Sequence, residues 1–426
     1  MTLLIFLGIL IGAICIGIPV AFALLLSGVA LMLHLGLFSD DILAQSLVNG
    51  VDNFSLIAVP FFMVAGETMS VGGLSKRIVR LAMSLVGHRK GGLGYVAIIT
   101  SIVLAGLSGS AVADAAALMA ILLPMMRNAR YPETASIGLL ASGGIIAPII
   151  PPSLPFIIFG VTANVSIAKL FLAGIAPGLM MGVALMATWY FLVRREPLEI
   201  NVKADQAERR AALKDGIWAL LLPIIIIGGI KTGAFTPTEA AVVAAVYAIA
   251  ISVLVYRELT VAAFYEILVK SARATAMVMF LVGCAMVASW LITVAQLPQQ
   301  VAGLLSPLVD SPRLLMLAIM VLVLLIGMVM DLSPTILILV PLLMPVINMA
   351  KIDPVYFGLM FVMNTSIGLI TPPVGTVLNV VCGIGKIPFE TAIRGVAPFV
   401  AVYIALLGLF IAFPQLVTVP LYWLTN

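Results

Sequence analysis

Residues 143–153 read Gly143-Gly144-Ile145-Ile146-Ala147-Pro148-Ile149-Ile150-Pro151-Pro152-Ser153, and residues 364–374 read Asn364-Thr365-Ser366-Ile367-Gly368-Leu369-Ile370-Thr371-Pro372-Pro373-Val374. Each stretch sits inside an apolar run long enough to cross a bilayer once, 133–163 and 354–384, and interrupts it with glycine and a double proline. Proline removes a backbone donor and breaks a helix. In a membrane, broken backbone is tolerated only where it is buried in protein or lines a cavity. The two stretches are also images of one another. A shift of 221 residues lays Ile150-Pro151-Pro152 on Thr371-Pro372-Pro373. The same ungapped shift lays Gly106 on Gly327, Pro124 on Pro345, and Gly174-Ile175-Ala176-Pro177 on Gly395-Val396-Ala397-Pro398. Chance alignment of apolar sequence does not keep prolines in step. Further out, 236–256 matches 15–35, with the shift slipping a few residues at Pro19 and Pro237.

The composition agrees. Of 426 residues, 63% are hydrophobic and 9% charged, against about 25% charged in a soluble domain. The solvent is therefore lipid. A net charge of +4 spread along the chain bears on membrane orientation and not on nucleic acid. Cys15, Cys284 and Cys382 lie in apolar runs with no CxxC pair, and His34 and His88 are far apart, so neither a disulfide framework nor a metal site is expected. The N-terminus is apolar from Leu3 onward with no basic leader segment, and reads as part of the mature chain.

Apolar runs predict spans near 3–16, 18–37, 55–72, 170–193, 214–230, 236–256, 274–296 and 395–413; Gly17 and Pro19 leave open whether the first two are one kinked helix. Runs 92–128 and 314–350 turn halfway at polar tips, Ser108-Gly109-Ser110 with Asp114, and Asp331-Leu332-Ser333-Pro334-Thr335. At about 1.5 Å per residue, each arm is short for about 30 Å of hydrocarbon, so both are predicted re-entrant hairpins. The repeating unit is span, short arm, span, hairpin, broken span, arm, span. Four full crossings return it to its starting side. The single extra span 214–230 then starts the second copy on the opposite face, which makes the repeat inverted.

The expected fold is an all-α polytopic membrane protein. It has two inverted repeats, each with a re-entrant hairpin and a broken transmembrane helix, and divides into a scaffold and an elevator-type transport unit. The predicted segments are 1–90 (first-repeat scaffold spans and arm helix), 91–163 (first hairpin and broken helix), 164–313 (scaffold spans, cytoplasmic linker 194–213 and an arm helix), 314–385 (second hairpin and broken helix) and 386–426 (final span and C-terminal tail). Segments 74–87 and 259–270 are amphipathic and are expected to lie at the interface as the arms. This topology puts 18 of the 22 Lys and Arg residues on one side, leaving Lys169, Lys231, Arg313 and Lys351 on the other. The rich side is cytoplasmic by the positive-inside rule, with both termini outside.

Opposed hairpin tips and broken helices meeting at the midplane are the parts of a secondary transporter. A half-helix N-terminus suits a carboxylate, and free carbonyls at a C-terminus suit a cation such as Na⁺. Candidate Na⁺ ligands in the first copy are Ser108, Ser110, Gly144 and Pro148. In the second they are Gly327, Asp331, Thr335, Gly368 and Thr371. Candidate substrate contacts are Ser108, Asp114, Ser153, Asp331 and Thr376. Intramembrane acids are costly and point to function. Of the four, Asp114 and Asp331 sit at tips, Glu67 lies near a predicted helix end, and Glu239 follows Thr236 at the spacing of an N-terminal cap. No cofactor beyond a coupling Na⁺ is expected. An ion-motive enzyme subunit is disfavoured because no Lys or His lies at a span centre, and an ATP-driven permease because no GxxxxGK[ST] occurs. A stand-alone Na⁺/carboxylate carrier stays open as the alternative.

Gly66-Glu67-Thr68-Met69, Gly73-Leu74-Ser75-Lys76-Arg77, Ser108-Gly109-Ser110-Ala111-Val112-Ala113-Asp114 and Ile149-Ile150-Pro151-Pro152-Ser153 resemble the large membrane subunit of TRAP (tripartite ATP-independent periplasmic) transporters. So do Gly327-Met328-Val329-Met330-Asp331 and Gly368-Leu369-Ile370-Thr371-Pro372-Pro373-Val374-Gly375. The resemblance covers nearly the whole chain. It implies Na⁺-gradient-driven uptake across a bacterial inner membrane. It also implies two partners, a small four-span membrane subunit and a periplasmic substrate-binding protein. Stretches Ser142 to Gly160, Gly229 to Ala240 and Asp310 to Arg313 look most like diketogulonate-type large permeases. A sugar acid, sialic acid included, is thus expected ahead of a four-carbon dicarboxylate.

Overall fold

A computed structural model describes residues 2–198 and 202–425, so the two terminal residues and the middle of the predicted 194–213 linker lie outside it. Among the described residues every regular element is helical. Among these residues, eight helices are long and apolar enough to cross a membrane. Large apolar side chains such as Leu33, Val183, Phe191, Leu254 and Met277 stand exposed on the outer faces, as expected where lipid is the solvent.

Helices α1 (Thr2–Cys15) and α2 (Val20–His34) are separate and packed on each other, which settles the kinked-or-double question in favour of two. Gly17 turns between them at φ 87°, a left-handed backbone angle that glycine adopts without steric cost. The short helix α3 (Asp40–Val51) follows, with the Ser39 side chain accepting from the Ile42 N–H. Next come α4 (Ala58–Val71), entered through a 3₁₀ turn, and the amphipathic arm α5 (Leu74–Val86). The first hairpin is α6 (Gly92–Ser108) and α7 (Ala111–Asn128), and the first broken helix is α8 (Glu133–Gly144) and α9 (Leu154–Ala163). Helix α10 (Ile167–Val193) closes the first copy, and α11 (Gln206–Lys231) is the extra span.

The second copy runs α12 (Pro237–Ala250), α13 (Val261–Val294), α14 (Leu297–Val309), a hairpin of α15 (Pro312–Gly327) and α16 (Leu332–Met349), a broken helix of α17 (Pro354–Gly368) and α18 (Thr376–Gly385), and α19 (Phe389–Ala412). Helix α20 (Gln415–Thr425) ends the described chain where a tail was expected. Shifted by 221 residues, α7 lands on α16 end for end, and α5 lands on α14 within two residues.

The packing carries the same two-fold relation. Helix α8 rests on α19 while its image α17 rests on α10, and α9 rests on α16 while α18 rests on α7. Each broken helix is therefore packed on the other copy as well as on its own hairpin. The two hairpins are unequal, since α6 packs along α7 while α15 lies chiefly against α17.

Three expectations are corrected. Residues 259–270 are not a separate arm but the first part of the 34-residue helix α13. Lys270 and Arg273 mark an interface crossing in the sequence, yet nothing between them and the apolar run breaks a helix. Helices α3 and α14 were not foreseen as arms. The first is too polar and short to read as a span, and the second carries Pro298 and Pro307, which sit at its start and near its end. Helix α10, assigned to a scaffold segment, packs against the broken helix α17, and α19, read as a final span, packs against α8. A second group forms around α4, which packs on α12 and α13, with α2 joined to it through α13.

The arm α5 is tied to the rest of its end of the molecule by charge. Arg80 pairs with Glu208 at 3.0 Å and Asp215 at 2.7 Å, and Arg77 with Glu258 at 2.6 Å while stacking over the Tyr256 ring at 3.7 Å. Lys90 reaches the Arg194 carbonyl at 2.8 Å. The hydrogen bond and charge of Glu208 hold the Arg80 guanidinium above its ordinary pKa. The segments around 76–90, Arg194, 208–215 and 256–258 thus share one end.

Candidate functional site

Both tips press on the break of their own broken helix. In the first copy Gly109 adopts φ 63°, and a Cβ there would stand 2.6 Å from the Pro152 carbonyl oxygen. No other residue fits this turn without strain. In the second copy the Met328 carbonyl accepts from the Val374 N–H at 3.3 Å and the Gly375 N–H at 3.1 Å. The prolines of each break thereby lie under a hairpin tip, where otherwise unpaired backbone groups find partners.

Around the first tip, Ser108, Ser110, Asp114 and Gly144 come together. The Ser108 hydroxyl donates to Asp114 Oδ1 and accepts from the Ser110 N–H at 3.2 Å. The Ser110 hydroxyl caps α7 by accepting from the Ala113 N–H at 3.3 Å. Gly144 ends α8 beside them, and a Cβ on it would meet Ala115 Cβ at 2.6 Å. Pro148 and Ser153 form a neighbouring pair inside the break: the Ser153 hydroxyl donates to the Pro148 carbonyl and accepts from the Phe156 N–H at 3.3 Å. The Pro148 carbonyl is thus engaged within the break, and Pro148 borders neither of the cavities beside the tips.

Around the second tip, Gly327 and Gly368 bring the ends of α15 and α17 into backbone contact. A Cβ on Gly368 would stand 2.5 Å from the Gly327 carbonyl carbon. Asp331 caps α16 through the Leu332 N–H at 2.9 Å, and the Thr335 hydroxyl donates back to the Asp331 carbonyl at 2.7 Å. The Thr371 hydroxyl donates to the Ile367 carbonyl at 2.7 Å. The buried Thr376 hydroxyl has no partner.

Two cavities adjoin the tips. One, of about 170 Å³, lies between them and is bordered by Ser110, Ala111, Leu154, Asp331, Leu332 and Ser333 among others. These are the first residues of α7, α9 and α16, so three helix N-termini open on one space. Aligned peptide dipoles leave partial positive charge at such ends. No Lys or Arg lines this cavity. The other, of about 250 Å³, lies on the far side of the first tip against α4, and holds Ser108, Asp114 and Glu67. Ser110 borders both. Ser153 and Thr376 border neither, and Asp114 faces the second cavity and not the space between the tips.

Glu67 lies in α4 about one turn before its end at Val71, as expected, and is half-buried on the second cavity. Sequence reasoning missed a further residue, Asn364, fully buried in α17. Its amide donates to the Met320 carbonyl at 2.5 Å while its own carbonyl oxygen has no partner. A polar triplet, Asn364-Thr365-Ser366, in the middle of a spanning run was the available signal. Glu239 completes a reciprocal cap with Thr236, as its spacing indicated.

Residues 7–416 match the family described as "Tripartite ATP-independent periplasmic transporter, DctM component". The chain belongs to this family of TRAP large permeases. It is 58% identical over 424 residues to the 2,3-diketo-L-gulonate TRAP transporter large permease YiaN of Escherichia coli, covering all of both chains. It is 42% identical over 404 residues to the sialic acid TRAP transporter large permease SiaM of Vibrio cholerae, covering 95% of each. The crystal structure of the Alcanivorax borkumensis YdaH transporter superposes with a TM-score of 0.65 at 17% identity, over 89% of this chain and 91% of that one. That likeness is one of fold. The relatives are permeases, so this TRAP large permease is a transport protein of a bacterial membrane and not an enzyme.

Proposed function

We propose that this permease carries a sugar acid of the diketogulonate or sialic acid type inward across the inner membrane, driven by Na⁺. The observation that carries the reading is the space between the tips, where the N-termini of α7, α9 and α16 converge with no basic side chain. A carboxylate placed there is held by free backbone N–H groups and dipole ends, and Ser110 and Ser333 offer hydroxyls to the rest of a polyol. Kinship with the diketogulonate and sialic acid permeases favours that chemical class.

Dipole ends alone leave a net anion in a low-dielectric site, so a cation must accompany it. The carbonyl ends of α6 and α8 near Ser108, Ser110, Gly144 and Pro148 suit one Na⁺. The ends of α15 and α17 near Gly327, Gly368 and Thr371, with Asp331 and Thr335, suit another. Bound Na⁺ at these places also offsets the Asp331 carboxylate beside an anionic substrate.

The hairpins, the broken helices, α10 and α19 form the moving unit, and the helices gathered around α4 form the frame. The basic end faces the cytoplasm, which places the termini in the periplasm. A periplasmic binding protein delivers the substrate, and a small four-span subunit completes the frame.

Uptake of labelled diketogulonate, sialic acid and succinate into proteoliposomes holding the permease with its small subunit tests this. A sugar acid should enter, and only when its binding protein is supplied. Uptake indifferent to the binding protein would make the chain a stand-alone carrier.

A further inference from the structure

The cavity against α4 has a different chemistry from the one between the tips. Glu67 and Ser70 come from α4 and Ser75 from α5, while Ser108 and Asp114 come from the first hairpin. Two carboxylates share the space, and no Lys, Arg or His borders it. Asp114 is 3% exposed, Ser108 satisfies only its Oδ1, and Oδ2 is buried with no partner. An unpaired oxygen of a buried carboxylate opposite a second carboxylate is costly. Hydroxyl and carboxylate oxygens together are the donors of a hard cation.

We infer that Glu67 and Asp114 bind a monovalent metal cation, Na⁺, in the seam between the α4 frame and the first hairpin tip. It adjoins the first helix-end position proposed above, sharing Ser108 and Ser110 with it, and differs in drawing Glu67, Ser70 and Ser75 from the frame and not from the moving unit. The fit at the seam is close: a Cβ on Gly66 would lie 3.4 Å from Ser108 Cα. A slide of the tip along α4 separates the two carboxylates. The ion therefore binds one arrangement of hairpin and frame better than the other and holds the transporter in it, since a ligand shifts an equilibrium only by its differential affinity. This role rests on the elevator reading above.

Hydrogen exchange on the permease with its small subunit in nanodiscs tests it, in NaCl against choline chloride. In the native protein Na⁺ should slow exchange in α4 around Glu67 as well as at both hairpin tips. In Glu67→Gln the slowing in α4 should vanish, while that around 143–153 and 327–335 remains. Glu67→Asp should keep a weakened Na⁺ response in α4 and guards against a folding defect in the first variant. Equal Na⁺ protection of α4 in native and Glu67→Gln protein would overturn the inference. So would protection of α4 that follows acidification and not Na⁺. Absent protection at the helix-end positions alone would instead count against the Na⁺ sites of the proposed function.

Discussion

A methyl group on Gly138 would overlap the carbonyl oxygen of Gly395, and one on Gly395 would overlap that of Thr134. Backbone touches backbone where α8 of the first copy crosses α19 of the second. The broken helix that ends at Gly144 is therefore positioned by the other repeat. Gly395→Ala should lower stability by about 1–3 kcal/mol, the usual range for overpacking a tight core. Gly408→Ala on the same helix, with nothing within 4 Å, should leave it unchanged. Thermal unfolding in detergent with the small subunit present distinguishes the two.

Asp331 caps α16 at the mouth of the space between the tips. Asp331→Asn keeps the shape and removes the charge. The half-saturating Na⁺ concentration for uptake should rise roughly tenfold or more, since hydrogen bonds and contacts to charged groups are worth about 1.5–3 kcal/mol. Ser153→Ala, in a residue that borders neither cavity, should act on stability before it acts on Na⁺ affinity.

Asn364 lies in α17 with its amide on the Met320 carbonyl. Asn364→Leu removes this bond between helices, while the Met320 carbonyl keeps its partner within α15. Stability should fall by about 0.5–1.5 kcal/mol, the usual net worth of a hydrogen bond. Thermal unfolding of the variant checks this, and an unchanged melting temperature would mean that the amide adds nothing to the packing of α17 on α15.

Arg80 offers the opposite case. Its pairs with Glu208 and Asp215 lie at the surface, with roughly half of each side chain exposed. Exposed pairs are worth about 0.2–1 kcal/mol. Arg80→Ala should therefore change the melting temperature by little, and by less still in high salt.

Much of this architecture was legible in the sequence because proline and glycine are hard to place in lipid. Pro151-Pro152 and Pro372-Pro373 located both breaks, and their constant spacing exposed the repeat. Ser108 to Asp114 and Asp331 to Thr335 located both tips. Side-chain direction was not legible. Asp114 and Ser110 are one helical turn apart, yet Asp114 faces α4 while Ser110 reaches both cavities. Nor was the exchange of packing between copies, which puts α10 and α19 against broken helices far away in sequence. Apolar residues on every face carry no signal of which neighbour each face meets. The length of α13 was hidden for a related reason, since charges mark an interface crossing without ending a helix.

The most direct test of the central claim is solute accumulation in proteoliposomes holding the permease and its small subunit, with solute-loaded binding protein outside. An inward Na⁺ gradient is compared with equal Na⁺ on both sides. The hairpin sites predict accumulation above the external concentration only with the gradient, and its loss in Asp331→Asn. Accumulation that persists without a Na⁺ gradient would contradict the role assigned to both tips.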